Sequence, residues 1–466
     1  MGLFDVPRKL TDARMAYDLI IRNGDVVTPR GVTRASIAID DEHIVEIGPE
    51  ISGAARGEID ATGLHVFPGV IDPHVHFNEP GRTEWEGIST GSAALAAGGG
   101  TCFFDMPLNS SPPVLDRESF DRKLAAAREK SFTDFALWGG LTPTNLDKLE
   151  DLANCGVIGF KAFMSNSGID DFASADDLTL FQGMVRAAAL GLPVAVHAES
   201  EALTSALALR AIAEGRTGMS DYLQSRPIVA EVGAIRRAIG FARETSCSLH
   251  VVHVSSAAGS IEVVEAKHEH VAGTDRALDV TCETCPHYLL LTDADALRLG
   301  SAGKCAPPLR DREQVDRLWF QLRGGGIDMV ASDHSPSPPS MKEGDNFFKT
   351  WGGIAGVQST LPALLSTDPP LPTELIAGLT STNIGSRFGV RDKGSIAAGN
   401  DADLALVDVA ATYVLTRDML LDRHKMSPYL GRTFRGRVVR TLVRGTSVFR
   451  DGKIISQPIG RLVRPA

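Results

Sequence analysis

His65-Val66-Phe67-Pro68-Gly69-Val70-Ile71-Asp72-Pro73-His74-Val75-His76 is an apolar run that ends on two histidines one residue apart. It reads as a strand over residues 65–74 entering a loop. Side chains two apart on a strand face the same way, so both imidazoles can address one metal ion. Taken alone, the pair also fits polar loop residues or hydrogen-bonded histidines. The positions of the other metal-type residues decide between these readings.

The middle of the chain offers eight apolar, β-branched candidate strands: residues 65–74, 102–106, 132–141, 157–164, 193–197, 249–254, 278–281 and 327–332. Stretches with helical character separate most of them, at 118–130, 177–190, 230–245 and 311–322. Strands alternating with helices imply a parallel sheet, and eight such units predict an α/β protein built on a (β/α)8 TIM barrel. His74 and His76 end the first strand, Lys161 lies in the fourth and His197 ends the fifth. His253 lies near the end of the sixth, and Asp333 follows the eighth. Barrel active sites are built where strands end, so all six side chains are expected at one rim.

Several stretches carry a family resemblance: residues 69–76, Gly159-Phe160-Lys161-Ala162-Phe163, His197-Ala198-Glu199, His253-Val254-Ser255, Glu283-Thr284-Cys285-Pro286-His287-Tyr288 and Ser332-Asp333-His334. Over nearly the whole chain they resemble the cyclic amidohydrolases of the amidohydrolase superfamily: hydantoinases, dihydropyrimidinases, dihydroorotases and allantoinases. The resemblance implies two divalent metal ions, zinc first, with cobalt, manganese or iron as alternatives. His74, His76, Lys161 and Asp333 would hold one ion, and Lys161, His197 and His253 the other. It also implies that Lys161 has taken up carbon dioxide as N6-carboxylysine, whose two oxygens can bridge the ions. The amine must be neutral to react, and burial beside cations disfavours its charged form. A snorkelling lysine is the plain alternative. Phe160, Ala162 and Phe163 argue instead for an inward position, where an unpaired ammonium is costly. Paired ions would activate water and polarise a carbonyl. Asp333, besides ligating, would take a proton during attack and return it to the departing ring nitrogen.

Residues 78–87 (Asn78-Glu79-Pro80-Gly81-Arg82-Thr83-Glu84-Trp85-Glu86-Gly87), 105–110 and 351–356 resemble the allantoinase branch. Dihydroorotases carry an arginine two residues after the second histidine, where it grips the substrate carboxylate; this chain has Asn78. Asparagine cannot replace that charged, two-pronged contact. Dihydropyrimidinase-type hydantoinases place a tyrosine five residues beyond the metal lysine, where this chain has Asn166 within Ser165-Asn166-Ser167-Gly168. Both departures favour a neutral ureido-substituted ring, so the expected reaction opens allantoin to allantoate, a step of purine (ureide) catabolism. A hydantoinase, dihydropyrimidinase or dihydroorotase reaction is the alternative. Expected substrate contacts are Asn78, Ser165 and Asn166, with the backbone near Thr284, Cys285 and Gly352, where relatives bind the ring amide. A plain loop asparagine is the other reading of Asn78.

Arg82, Glu84 and Glu86 fit either a lid or a solvated, salt-bridged loop. His287 and His334 match no ligand position of the family and are expected in packing or hydrogen-bonding roles. Gly98-Gly99-Gly100 lacks a following Gly-Lys-Ser/Thr and reads as a helix-to-strand turn, not a phosphate loop. A catalytically dead relative acting in assembly would have lost ligands, whereas all six positions are filled here.

Alternating patterns at both chain ends, over 17–27, 36–47, 402–407 and 438–448, predict strands, with Asn23-Gly24, Gly445 and Asp451-Gly452 as turns. Neither end has enough strands for a stable sheet, so a composite β-sandwich is expected, with residues 1–66 and 389–466 flanking a barrel over 67–388. Lys393-Gly394-Ser395-Ile396 and Asp401-Ala402-Asp403-Leu404 match the family there. The 466 residues are 43% hydrophobic and carry a net charge of −11, enough for a sizeable core but with no basic patch for nucleic acid or anionic lipid. No apolar stretch reaches membrane-spanning length. Residues 1–5 show no secretory pattern and residues 1–15 are expected to be loose. Six cysteines, several near candidate strands, are expected as reduced buried thiols of a cytoplasmic enzyme, Cys282 and Cys285 among them as packing residues. The family resemblance implies a homotetramer.

Overall fold

The N-terminal strands β1 (Tyr17–Thr28), β2 (Gly31–Asp40) and β3 (His43–Gly48) form an antiparallel meander. The structure is a computed structural model describing residues 17–466; the readings of residues 1–5 and 1–15 lie outside it. β4 (Ala55–Asp60) and β5 (His65–Pro68) both run parallel to β1, β4 along its first half and β5 along its second. Asn23-Gly24, expected as a turn, lies inside β1 as a bulge where these partners change over, with Asn23 at φ 60°. A Cβ on Gly24 would stand 2.6 Å from Val66 Cγ2, so the glycine serves the close approach of β5. The hairpin turn between β2 and β3 is Asp41-Glu42, at φ 47° and 72°.

The decisive stretch divides in two. β5 belongs with β1, whereas β6 (Val70–Val75) begins a different, parallel sheet. The strand expected over 65–74 is therefore two strands, jointed at Gly69. Its N–H donates to Asp403 O, and a Cβ there would lie 2.2–2.7 Å from the Thr101 side chain.

β6, β7 (Gly100–Asp105) and β8 (Asp134–Leu137) form a three-stranded parallel sheet. β9 (Gly139–Gly140), β10 (Phe160–Phe163), β11 (Val194–His197), β12 (Leu249–Val251), β13 (Val280–Thr284) and β14 (Met329–Val330) form a six-stranded parallel sheet in that order. Helices Arg117–Lys130, Asp177–Leu190, Ile228–Thr245 and Arg312–Arg323 fall on the helical stretches of the sequence. Asp116, Asp176 and Asp311 cap three of them by accepting a backbone N–H. The expected strand over 132–141 is interrupted at Trp138, whose backbone N–H donates to Asp105 O (3.1 Å) and whose indole donates to Pro73 O (3.0 Å). The seventh parallel segment extends to Thr284, later than expected, because Glu283 and Thr284 are fully buried despite their polarity. Beyond β14, the chain returns to β6. His76 N–H donates to His334 O (2.8 Å), and the Asp72 carboxylate accepts Ser332 N–H (3.1 Å).

At the C-terminal end, β15 (Leu404–Val414), β16 (Thr433–Val443), β17 (Thr446–Arg450) and β18 (Lys453–Ile454) pair antiparallel, and β15 docks against β5. Both chain ends thus share one nine-stranded sheet, with Ile21, Ile37, Val66, Leu404 and Leu442 in a common core. Arg444-Gly445 and Asp451-Gly452 have left-handed φ values and make the hairpin turns expected there. Between this sheet and β8, Lys393 Nζ lies 2.7 Å from a carboxylate oxygen of each of Asp134, Asp401 and Asp403. Arg444 also pairs with Asp134. Among the described residues, no helix is long and apolar enough to cross a membrane.

Candidate active site

Side chains at the C-terminal ends of the parallel strands meet. His74 lies in β6 and His76 just beyond it, Lys161 lies in β10, His197 ends β11, His253 follows β12 and Asp333 follows β14. Ring centroids are 5.4 Å apart for His74 and His76, 5.3 Å for His74 and His253, and 4.7 Å for His197 and His253. Asp333 Oδ1 lies 3.4 Å from His74 Nε2 and 3.5 Å from His76 Nε2. Donor atoms of His74, His76 and Asp333 all lie within 4.8 Å of one another, a group able to hold a metal ion. His253 (φ 40°) and Asp333 (φ 44°) sit in the left-handed region, a strain typical of functional positions. Lys161 is fully buried and its Nζ has no hydrogen-bond partner.

Neighbouring polar groups fix the imidazoles. His74 Nδ1–H donates to Glu283 Oε1 (2.5 Å), and Glu283 also accepts from His250 Nε2–H (3.1 Å) and His253 N–H (3.3 Å). His197 Nε2–H donates to Glu199 Oε2 (2.9 Å), which Arg226 also pairs. The Asn109 carboxamide lies 3.3 Å from His76 Nδ1. Such partners select the tautomer, leaving His74 Nε2 and His197 Nδ1 with lone pairs toward the centre. His197 Nδ1 is 3.0 Å from His253 Nε2. Burial holds His74 and His253 well below the usual imidazole pKa and lowers His197, so these rings are neutral and able to ligate. Burial brings the Lys161 amine down to about 8 and lifts Glu283 to about 8. Burial opposes ionisation of Glu199 as well, but Arg226 and His197 outweigh it and hold that carboxyl at about 2. Glu283, Glu199 and Asn109 lie in family-like stretches of the sequence, which alone assign them no role. The signal available in sequence is an acid or amide on or beside an apolar run that is expected as a barrel strand.

A cavity of about 430 Å³ opens over this cluster, with His74, His76, His197, His253 and Asp333 in its lining. Asn166 and Gly352 also line it. Asn166 Oδ1 accepts Gly168 N–H (2.8 Å) and its own N–H donates to Glu201 (2.6 Å). Asn78, Ser165, Thr284 and Cys285 are buried outside the lining. Asn78 has φ 63° and its Nδ2–H donates to Pro336 O at 3.4 Å, while its Oδ1 has no partner. Ser165 Oγ also lacks a partner, and Thr284 Oγ1 donates to Val254 O (2.8 Å).

The loop after His76 is fastened at Arg82 and Glu86, while Glu84 is exposed. Arg82 pairs with Asp171 (3.1 Å), and fully buried Glu86 accepts Arg423 N–H (3.1 Å). Trp85 stacks edge-on against the cavity residue Trp351 at 4.9 Å. His334 Nδ1 accepts Gly356 N–H (3.2 Å) and its Nε2 lies 3.5 Å from the Glu86 carboxylate, a hydrogen-bonding role. His287 is buried with neither ring nitrogen partnered, and burial lowers it to about 4. All six cysteines are buried and free, and the three glycines from Gly98 join helix Ile88–Ala97 to β7.

The chain matches the Amidohydrolase family over residues 65–448. The allantoinase of Rubrobacter xylanophilus is 56% identical over 453 residues, 97% of this chain and 98% of that protein. The allantoinase of Solibacter usitatus is 56% identical over 451 residues, 96% of this chain and 97% of that protein. Among solved structures, the L-hydantoinase (dihydropyrimidinase) from Arthrobacter aurescens superposes with a TM-score of 0.92 at 34% identity, covering 96% of this chain and 100% of that one.

Proposed function

The chain belongs to the amidohydrolase family, and from that premise we propose that it hydrolyses a cyclic amide, opening the hydantoin ring of allantoin to allantoate. The observation that carries this reading is the near-full-length match to allantoinases. The hydantoinase structures share the architecture at lower identity, so they support the reaction class and not the ring.

The donor set suits a pair of divalent ions, zinc first. Four buried imidazoles, three of them held below the usual pKa, surround an unpartnered amine and a carboxylate. A bare buried ammonium there is costly, and a pKa near 8 makes the neutral amine accessible to carbon dioxide. His74, His76 and Asp333 would hold one ion, His197 and His253 the other, and N6-carboxylated Lys161 both. When bound, the ions supply an activated water and a Lewis acid for the ring carbonyl. Glu283, Glu199 and Asn109 orient the imidazoles. Asp333 takes the proton of the attacking water and delivers it to the leaving ring nitrogen, which departs poorly as an anion. Gly352 and Asn166, in the cavity lining, orient the ring, whereas Asn78, Ser165, Thr284 and Cys285 lie buried outside that lining.

The return of the chain from β14 to β6, and the near-continuity of β8 with β9, support a closed (β/α)8 barrel over 67–388. The shared apolar core supports a β-sandwich from 1–66 and 389–466. By family analogy we further propose a cytoplasmic homotetramer. The deciding assay compares kcat/KM of metal-loaded enzyme for allantoin, hydantoin, dihydrouracil and dihydroorotate. Allantoin should be the best substrate by orders of magnitude; a preference for any other ring overturns the reading.

A further inference from the structure

Lys304 stands in the cavity wall next to Gly352, with Gly353 N–H donating to its carbonyl at 2.8 Å. It is only 8% exposed. Thr350 O accepts one of its N–H groups, and the Tyr222 ring faces the ammonium at 4.6 Å. A lysine offers three N–H groups, so at least one donor is unassigned. It forms no ion pair with Asp333 or any other carboxylate among the described residues. Its cationic neighbours are already committed. Arg226 is bound to Glu199, and Lys342 donates to the carbonyls of Gly352 (3.1 Å) and Gly353 (2.8 Å). This wall therefore carries surplus positive charge with a spare donor. Burial, Arg226 and Lys342 pull the Lys304 pKa to about 7, a penalty that an accepting oxygen would offset.

The ring carbonyl under attack must lie at Asp333 and the histidines. Among the described residues Lys304 makes no hydrogen bond or ion pair with any of them, so it addresses a part of the substrate away from the reacting bond. On allantoin that part is the ureido arm, whose carbonyl oxygen is an acceptor. We propose that Lys304 donates to the carbonyl oxygen of the ureido arm and thereby sets the preference for a ureido-substituted ring over a bare hydantoin. This rests on the reading of the chain as an allantoin hydrolase.

The test uses wild type, Lys304→Met and Lys304→Arg, with kcat/KM for allantoin and the Ki of hydantoin as competitor. Wild-type activity on allantoin is read first, and its absence would refute the function reading, not the assignment of Lys304. Lys304→Met should lose about 10- to 100-fold in kcat/KM for allantoin, mainly through KM, the loss of one charged hydrogen bond. The Ki of hydantoin should change by less than about twofold, and Lys304→Arg should restore part of the loss. Weakening of both ligands by the same factor would mean that Lys304 merely holds residues 350–353, and the proposal fails. Unchanged allantoin kinetics overturn it too. If Lys304→Met does not fold, Lys304→Gln is read by the same criteria.

Discussion

At Lys161, a fully buried amine without a hydrogen-bond partner sits among buried imidazoles, and removing it tests the donor set directly. Lys161→Ala should lose most bound metal, measured by elemental analysis, and nearly all turnover. Native mass spectrometry of the wild type should show one added carbon dioxide that the variant lacks. Full activity with an unmodified lysine would refute the carbamate. Asp333→Asn should behave differently, keeping much of the metal while losing about 10²–10⁴-fold in kcat. An active variant with intact metal would send the proton elsewhere. These residues were legible in sequence because histidines, a lysine and an aspartate recur at strand ends. Glu283 was not, since its partner His74 lies on another strand and leaves no local mark, whereas Glu199 stands only two residues from its partner His197. The environment of Asn78 was equally hidden, because its backbone at φ 63° turns the side chain toward Pro336.

Among elements, helices were easier to bound than strands. Asp177–Leu190 falls on residues 177–190 because Asp176 caps its start and Gly191, at φ 69°, closes its end. Buried parallel strands carry no such punctuation. The apolar run from 65 to 74 hid a change of sheet at Gly69, which only the third dimension reveals. Gly69→Ala would press a methyl group into Thr101 and should cost about 1–3 kcal/mol of stability. Urea unfolding would show this, and Thr101→Ser should relieve part of it. No loss would mean that the joint has slack. Likewise Asn23-Gly24 obeys a partner exchange along β1, not the hairpin preference that its sequence suggests.

On the scale of the whole molecule, the sheet shared by both ends is bolted to β8 through Lys393. Lys393→Met would strand three carboxylates around an apolar group and should lower unfolding stability by about 3–5 kcal/mol, read as a fall in Tm. Burial raises the carboxyl of Asp134, but Lys393 and Arg444 outweigh it and hold the pKa below the usual value. Its contribution is present above the unfolded Asp value of about 3.9 and is lost as the pH falls through the lower folded one. Unfolding free energies of wild type and Asp134→Asn should therefore converge in acid. A gap independent of pH would show that shape, not charge, makes the bolt. The meeting of the two ends was legible as a shortage of strands at each, whereas the lysine cage was not, because Asp134 lies more than two hundred residues from its partners.

The pairing of β5 with β15 sets a timetable for synthesis. β5 leaves the ribosome early, yet the neighbour that covers its outer edge begins at Leu404. Until β15 has been translated, the nascent chain carries an open strand edge beside the parallel strands, an invitation to pair with another chain. A messenger truncated between the codons for Asp333 and Leu404 would yield a polypeptide with every proposed ligand in place and that edge still bare.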